Sequence, residues 1–452
     1  MSDTIAAIAT GSQLAAIGIV RLSGDAAISL ADALFHPLDG RPMSAHEDRR
    51  LIFGSLCSRE GEQLDLCLCT ISRGPRSYTG EDTAELQCHG SPVVLQAVLQ
   101  ELFALGARQA GPGEFTKRAF LNGRMALCAA EAVADIIDAE SVEAAKNAAG
   151  QLSGAISRRV DGIYAALTDI SSHYHAVLDY PDEDIEDFQL AQYRETMETA
   201  LSDLRQLLAT FDRGRLLTAG IPTAIVGRPN AGKSSLLNAL LGYDRAIVTA
   251  IPGTTRDTIE ERLRLGGLCL RLIDTAGIRD TEDPVERLGV QRSKDALAQA
   301  ELVIAVVDGS EPFTAEDAAI LRAAEGAKRA IAVLSKHDLE SRTQRMDTSL
   351  PQLSVSAHTG EGLDDLEAVI SALFPLPAVP AGEILTNARQ AEAVGRAVVS
   401  MEAALSAMVQ GMTPDVVLTE TEAAMSALGE LSGRSVREDV TNRIFQRFCV
   451  GK

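Results

Sequence analysis

Gly227-Arg228-Pro229-Asn230-Ala231-Gly232-Lys233-Ser234 fits the pattern G-x-x-x-x-G-K-[ST]. The glycines let successive backbone N–H groups close around phosphate oxygens, and a helix opening there adds partial positive charge. Lys233 then suits the β/γ-phosphates and Ser234 suits Mg²⁺. Downstream lies Asp274-Thr275-Ala276-Gly277. Its carboxylate fits the outer sphere of that metal, and the Gly277 N–H fits the γ-phosphate. Thr255, within Gly253-Thr254-Thr255-Arg256-Asp257, is the candidate switch threonine that completes the Mg²⁺ shell. Ser335-Lys336-His337-Asp338 is one side chain away from N-K-x-D. A carboxylate at 338 can accept two hydrogen bonds from the N1–H and N2–H₂ edge of guanine, a pair that adenine lacks. Ser356-Ala357 supplies a loop over the guanine O6. The expected ligand is GTP rather than ATP, bound somewhat more weakly because Ser335 lacks an amide. Ser235, Thr249, Ala250, Ile251, Pro252 and His358 flank these motifs and complete the candidate nucleotide-binding set.

Gly277 is followed by Ile278 and Arg279 and not by a water-orienting Gln. Glu286 is the nearby carboxylate that would position water; an ordinary exposed carboxylate is the other reading. Arg228, Arg256 and Arg279 are equally eligible as charge-stabilising arginines. The seven cysteines include no C-x-x-C pair, so reduced thiols are expected. Cys67, Cys69, Cys88 and His89 are spaced unlike common zinc ligand pairs, and zinc is not expected. His173 and His175 read as packing or surface residues.

Strands are expected at Ile17–Leu22 and, with clear alternation, Leu64–Cys69; Pro92–Gly106 reads as a helix. Helical periodicity follows, broken by Pro181 and the acidic run Asp182–Asp187, with a second helix over Leu190–Phe211. Further on, strand-like runs at Thr223–Val226, Leu268–Ile273, Leu302–Val307, Ala330–Leu334 and Leu353–Val355 alternate with helices. That alternation predicts a doubly wound, mostly parallel sheet. Pro375, Pro377 and Pro380 mark a linker before helical periodicity resumes. The expected fold is α/β and α. An N-terminal α+β domain spans 1–120, and a helical domain (121–215 and 379–452) is interrupted by an α/β domain at 216–378.

The chain has 452 residues, with 42 Lys+Arg against 63 Asp+Glu, a net charge of −21. At roughly 100–200 residues per domain, about two to four domains are expected. A composition that is 46% hydrophobic excludes a chain disordered throughout. No run approaches the roughly 18 apolar residues of a membrane helix, and Met1–Thr10 has no basic leader, so a cytoplasmic location is expected. The acidic balance disfavours non-specific nucleic-acid binding. Arg434, Arg437, Arg443, Arg447 and Lys452 form one modest basic segment, readable as a phosphate contact or as a solvated helix face.

Taken together the chain resembles the MnmE/TrmE family of tRNA-modification GTPases. Gly18–Gly24, Tyr78-Thr79-Gly80-Glu81-Asp82, Leu86–Gly90, Pro112–Thr116 and Arg118–Gly123 carry the likeness at the front. The terminal Phe448-Cys449-Val450-Gly451-Lys452 is its most specific part. The resemblance implies an inserted Ras-like P-loop G domain and a tetrahydrofolate-binding-like N-terminal domain that mediates homodimerisation. It implies K⁺ held by Asn230 with backbone oxygens of Thr249, Ile251 and Thr254, Mg²⁺ held by Ser234 and Thr255, and Glu286 as water orienter. A 5-formyl or 5,10-methylene tetrahydrofolate would be held by Arg21, Glu85, Arg124 and Lys452. Cys449 would act beside the one-carbon unit or, alternatively, pack as a small hydrophobe. The implied partners are tRNA and the FAD- and NADH-using MnmG, in a heterotetramer or larger assembly. The implied activity is K⁺-stimulated GTP hydrolysis serving aminomethyl-type modification of the wobble uridine. Another P-loop GTPase of ribosome-assembly type, or a folate-binding scaffold with a vestigial G domain, remain the alternatives.

Overall fold

The computed structural model describes residues 3–11, 13–179, 187–243, 262–265, 267–273, 299–343, 346–375, 379–434, 438–446 and 448–451. The acidic run at 182–186, the stretch 249–255, Asp274–Gly277, Glu286, Pro377 and Lys452 lie outside the described residues. Two compact units are distinguished. One comprises Met1–Ala134, Gly150–Leu201 and Ala393–Lys452; the other comprises Asp135–Ala149 and Ser202–Glu392.

In the first unit the chain runs β1 (Ile5–Ile8), β2 (Ile17–Ser23), α1 (Ala27–Leu34), β3 (Phe35–Pro37), β4 (Ile52–Cys57), β5 (Gln63–Ser72), β6 (Thr83–His89), α2 (Pro92–Ala104), β7 (Arg108–Gln109) and α3 (Glu114–Leu121). The strands make one sheet in the order β3-β4-β5-β6-β2-β1-β7. Alternation in β5 turns Cys67, Cys69 and Ile71 into the core, where they meet Leu95, Val98 and Leu102 of α2 and Ala31 and Leu34 of α1. Pro92 opens α2 at a position where its missing N–H costs nothing.

Helices follow as α4 (Leu127–Ile137), α5 (Val142–Leu152), α6 (Ala155–Asp179), α7 (Asp187–Ala209) and α8 (Phe211–Ala219). The second expected helix is α7, which ends at Ala209, two residues short of Phe211; α8 beyond it was not expected. The break falls at Thr210, whose hydroxyl donates to Leu207 O at 2.7 Å and accepts from Leu385 N at 3.0 Å. A buried tertiary hydrogen bond overrides the helical period there.

The second sheet is built from β8 (Ile221–Gly227), β9 (Arg262–Leu265), β10 (Leu268–Leu272), β11 (Leu302–Asp308), β12 (Ala330–Ser335) and β13 (Gln352–Ser354). Its order is β13-β12-β11-β8-β10-β9, parallel except for the antiparallel edge pair β9–β10. All of β11 and β12 is buried, as expected for strands covered on both faces. The five expected strands are present, the last shifted by one residue to 352–354. The edge strand β9 was not expected, although Arg262-Leu263-Arg264-Leu265 alternates polar and apolar residues over its four positions. Helices α9 (Lys233–Tyr243), α10 (Ala315–Glu325) and α11 (Leu363–Leu373) lie among these strands in sequence. Then come α12 (Ala388–Val409), α13 (Pro414–Ser432) and α14 (Glu438–Phe445). In the first unit α13 packs along α6. No helix among the described residues is long and apolar enough to cross a membrane.

Candidate nucleotide-binding site

The loop 227–232 leaves the end of β8 and runs directly into α9. Gly227 is required there: a Cβ would lie 2.4 Å from Val306 O. Asn230 (φ 61°) and Gly232 (φ 92°) take left-handed conformations that curl the loop into a concavity suited to an anion. Lys233 Nζ donates to Gly227 O at 3.0 Å and Arg228 O at 2.7 Å, which holds the ammonium over the loop.

Ser335 ends β12 and is buried. Its hydroxyl donates to Ala231 O at 2.6 Å and lies 3.1 Å from Val307 O. The missing amide is thus partly replaced, since one hydroxyl proton still ties this strand end to the phosphate loop. Lys336 (φ 59°) turns the chain and pairs with buried Asp308 at 2.6 Å. Burial by itself would raise the Asp308 carboxyl. The hydrogen bonds from Lys336 and Ser310 outweigh it and hold the group below the usual carboxylate range. Asp338 accepts from the Ser356 hydroxyl at 2.7 Å, which lowers its carboxyl and keeps it an acceptor.

The 227–232 loop and the segments 335–339 and 355–358 meet at one cavity of about 220 Å³ lined by Gly232, Ser235, Ser335, Asp338, Ala357 and His358, among others. Apolar walls from Leu236, Leu339 and Val355 were not singled out from sequence; their only signal was adjacency to the motifs. Asn230, Ala231 and Ser234 lie on the same loop and helix start. Thr249, Ala250, Ile251, Pro252, Gly253, Thr254, Thr255, Asp274, Thr275, Ala276, Gly277 and Glu286 lie outside the described residues. Of the three eligible arginines, Arg228 forms an ion pair with Asp317 at 2.7 Å. Asp317 is buried and caps α10 in a reciprocal box with Thr314, so Arg228 serves the scaffold. Arg256 and Arg279 lie outside the described residues.

A second cluster forms in the first unit. Arg21 on β2 and Glu85 on β6 face each other in register, with Arg21 Nε donating to Glu85 Oε1 at 2.8 Å. The guanidinium lies 5.9 Å from the Tyr78 ring centre and 5.7 Å from that of Phe115. Arg124 Nε donates to Ser77 O at 3.2 Å, next to Tyr78. The C-terminal tail reaches the same neighbourhood. Gly113 N donates to Cys449 O at 3.2 Å, Pro112 bridges to Val450, and Gly451 O lies 3.5 Å from Arg21 Nη1. Phe448 is buried with Phe445, Leu127 and Val133, whereas Cys449 is exposed. Arg434, of the basic terminal segment, pairs with Asp161 at 3.1 Å and lies 4.6 Å from the Tyr164 ring centre.

Sequence reading missed what Arg118 does. This buried guanidinium donates to Glu81 Oε2 (2.9 Å), Asp3 O (2.8 Å), Asp3 Oδ1 (2.6 Å) and Glu114 Oε1 (3.1 Å). Ser23 donates to the same Glu81 oxygen at 2.7 Å. His173, by contrast, packs on Tyr193 and His175 pairs with Glu422, as expected of packing and surface residues.

Comparison with known proteins gives a consistent picture. Residues 4–124 match the family profile described as GTP-binding protein TrmE N-terminus, and residues 127–449 match the MnmE helical domain. A tRNA modification GTPase MnmE from Symbiobacterium thermophilum is 42% identical over 461 residues, covering 100% of this chain and 99% of its own. A Roseiflexus protein of the same description is 43% identical over 465 residues, with the same coverage. Among solved structures, the cytosolic domain of the T. maritima FeoB iron transporter in a GDP form aligns with 46% of this chain and 95% of that one. The identity is 21% and the TM-score 0.27, too slight a likeness to carry an argument.

Proposed function

Because the chain belongs to the MnmE/TrmE family of tRNA modification GTPases, we propose that it hydrolyses GTP to GDP and phosphate in a cycle coupled to wobble-uridine modification of tRNA. The observation that supports this most directly is the convergence of the phosphate loop and the Asp338–Ser356 pair on one cavity.

In this reading the backbone N–H groups of the 230–234 stretch hold the phosphates. Lys233 exchanges its two carbonyl acceptors for phosphate oxygens, and Asp338 reads guanine. Mg²⁺ would be held by Ser234 and Thr255. The left-handed Asn230 at the loop crest fits a donor to K⁺, with Thr249, Ile251 and Thr254 as the other ligands. A monovalent cation there supplies the positive charge that an arginine finger gives other GTPases, which accords with Arg228 being engaged by Asp317. Glu286 orients the attacking water.

The family match over 4–124 supports a tetrahydrofolate role for the first unit. Arg21, Glu85, Arg124 and Lys452 would hold the folate, which supplies the one-carbon unit. For that, Glu85 would present one carboxylate oxygen to the pterin N–H edge while the other stays with Arg21. The exposure of Cys449 supports thiol chemistry over packing. The domain organisation proposed is 1–120, 121–215, an inserted G domain at 216–378, and 379–452. The working form is a cytoplasmic homodimer acting with MnmG on tRNA.

Mass spectrometry of tRNA nucleosides from a deletion strain tests this. Loss of the aminomethyl-type group on the wobble uridine is expected, restored by the wild-type gene. Cys449→Ser should keep GTP hydrolysis yet fail to restore the nucleoside. An unmodified profile identical in deletion and parent strains would refute the function. Full restoration by Cys449→Ser would remove the thiol from it.

A further inference from the structure

Away from both clusters, the sheet of the first unit carries a third. The register Leu68↔Gln87, continued by one residue, sets Cys67 on β5 opposite Cys88 on β6. Directly opposed residues in an antiparallel pair have Cα atoms only about 4.5–5.5 Å apart. Both side chains are buried, and the Cys88 thiol donates to Leu86 O at 3.8 Å. Asp65 lies two residues before Cys67, on the same face by alternation. One carboxylate oxygen of Asp65 and the two sulfurs all lie within 4.8 Å of one another.

The carboxylate is held in place from behind. His89 N donates to Asp65 Oδ2 at 2.8 Å, and His89 Nδ1 lies 2.8 Å from Asp65 Oδ1. The Asp65 side chain is only 10% exposed, while His89 is 75% exposed. Cys69 shares the face, but its thiol turns to Thr70 O at 3.9 Å and stays outside the group. Two soft sulfurs and one hard oxygen, the oxygen oriented by an outer hydrogen bond, is the donor arrangement of a three-ligand zinc site with one open position.

We propose that Asp65, Cys67 and Cys88 bind one Zn²⁺ ion, with His89 as the outer partner that orients Asp65. A tetrahedral ion with Zn–S about 2.3 Å and Zn–O about 2.1 Å places its ligand atoms roughly 3.5–3.8 Å apart. The three donor atoms, all within 4.8 Å of one another, would draw together by up to about 1 Å on binding. Binding forms two Zn–S bonds and one Zn–O bond, and the two thiol protons leave to solvent. The fourth position would take water. The ion would pin β5 to β6.

Full-length protein, reduced and stripped by chelator, is titrated with Co²⁺ and then Zn²⁺. One Co²⁺ per chain with thiolate-to-metal absorption is expected, displaced by Zn²⁺. Asp65→Asn should weaken binding by about 10–100-fold, and Cys67→Ser or Cys88→Ser should abolish the absorption. Cys57→Ser and Cys449→Ser should leave it intact. Should the core substitutions fail to fold, the wild type decides alone. Zn²⁺ must protect Cys67 and Cys88, but not Cys57, from alkylation in mild denaturant. Absence of the absorption, its survival in the Cys67 and Cys88 variants, or equal alkylation with and without Zn²⁺ would overturn the site.

Discussion

At the scale of single residues, Ser335 and Asp338 do different jobs at one cavity. Ser335 fastens the 227–232 loop through Ala231 O, and Asp338, which in the proposed function reads the base, accepts from the Ser356 hydroxyl, which lowers its carboxyl. Ser335→Ala removes one neutral hydrogen bond, worth about 1 kcal/mol, and should weaken GTP binding by roughly 5–10-fold without changing base preference. Asp338→Asn loses charge-assisted acceptance from two guanine donors and should cost on the order of 100-fold or more. Calorimetry with GTP and ATP measures both. Wild-type protein that binds ATP as tightly as GTP would sink the guanine assignment.

At the scale of elements, the first unit is closed by a charge network and by a docked tail. Burial by itself would raise the Glu114 carboxyl, but Arg108, the Gly111 N–H and Arg118 outweigh it and hold it at about 2. A carboxyl lowered on folding contributes stability that is present above its unfolded value near 4.5 and is lost as pH falls towards 2. Glu114→Gln should therefore destabilise the protein by about 1–3 kcal/mol at pH 7. Its gap from wild type in thermal unfolding should narrow between pH 5 and pH 3, and a gap independent of pH would contradict the network. The tail depends on Gly451, whose φ is 98° and where a Cβ would lie 2.4 Å from Ile8 O. Both conditions exclude a side chain. Gly451→Ala should release residues 449–451 and raise the rate at which carboxypeptidase digests the tail at least several-fold. Unchanged digestion would mean that the tail is anchored by Phe448 alone.

At the scale of the whole molecule, a protein of net charge −21 must gather anionic partners through local chemistry. For GTP that chemistry is the curled phosphate loop and, in the proposed mechanism, a K⁺ ion. Phosphate release in K⁺ should exceed that in Na⁺ by about tenfold or more, on the precedent of charge supplied by arginine fingers. In K⁺, GDP with aluminium fluoride should also bring the G domains of a dimer together, read by scattering or by distance measurements between labels. Equal rates in the two salts would remove the cation from the mechanism.

The residue types and spacing of 227–234 and 335–338, the alternation of β5 and the strand–helix alternation after 220 were decided by the sequence itself. Phosphate and base recognition use contiguous backbone, and a sheet covered on both faces writes its strands as apolar runs. Tertiary structure alone decided the rest. It separated α7 from the unexpected α8 at Thr210, gave Arg228 to Asp317, turned Cys449 outward beside buried Phe448, and set Cys67 against Cys88. Each of these depends on a partner distant in the chain, and strand register and side-chain pairing leave no trace in local spacing.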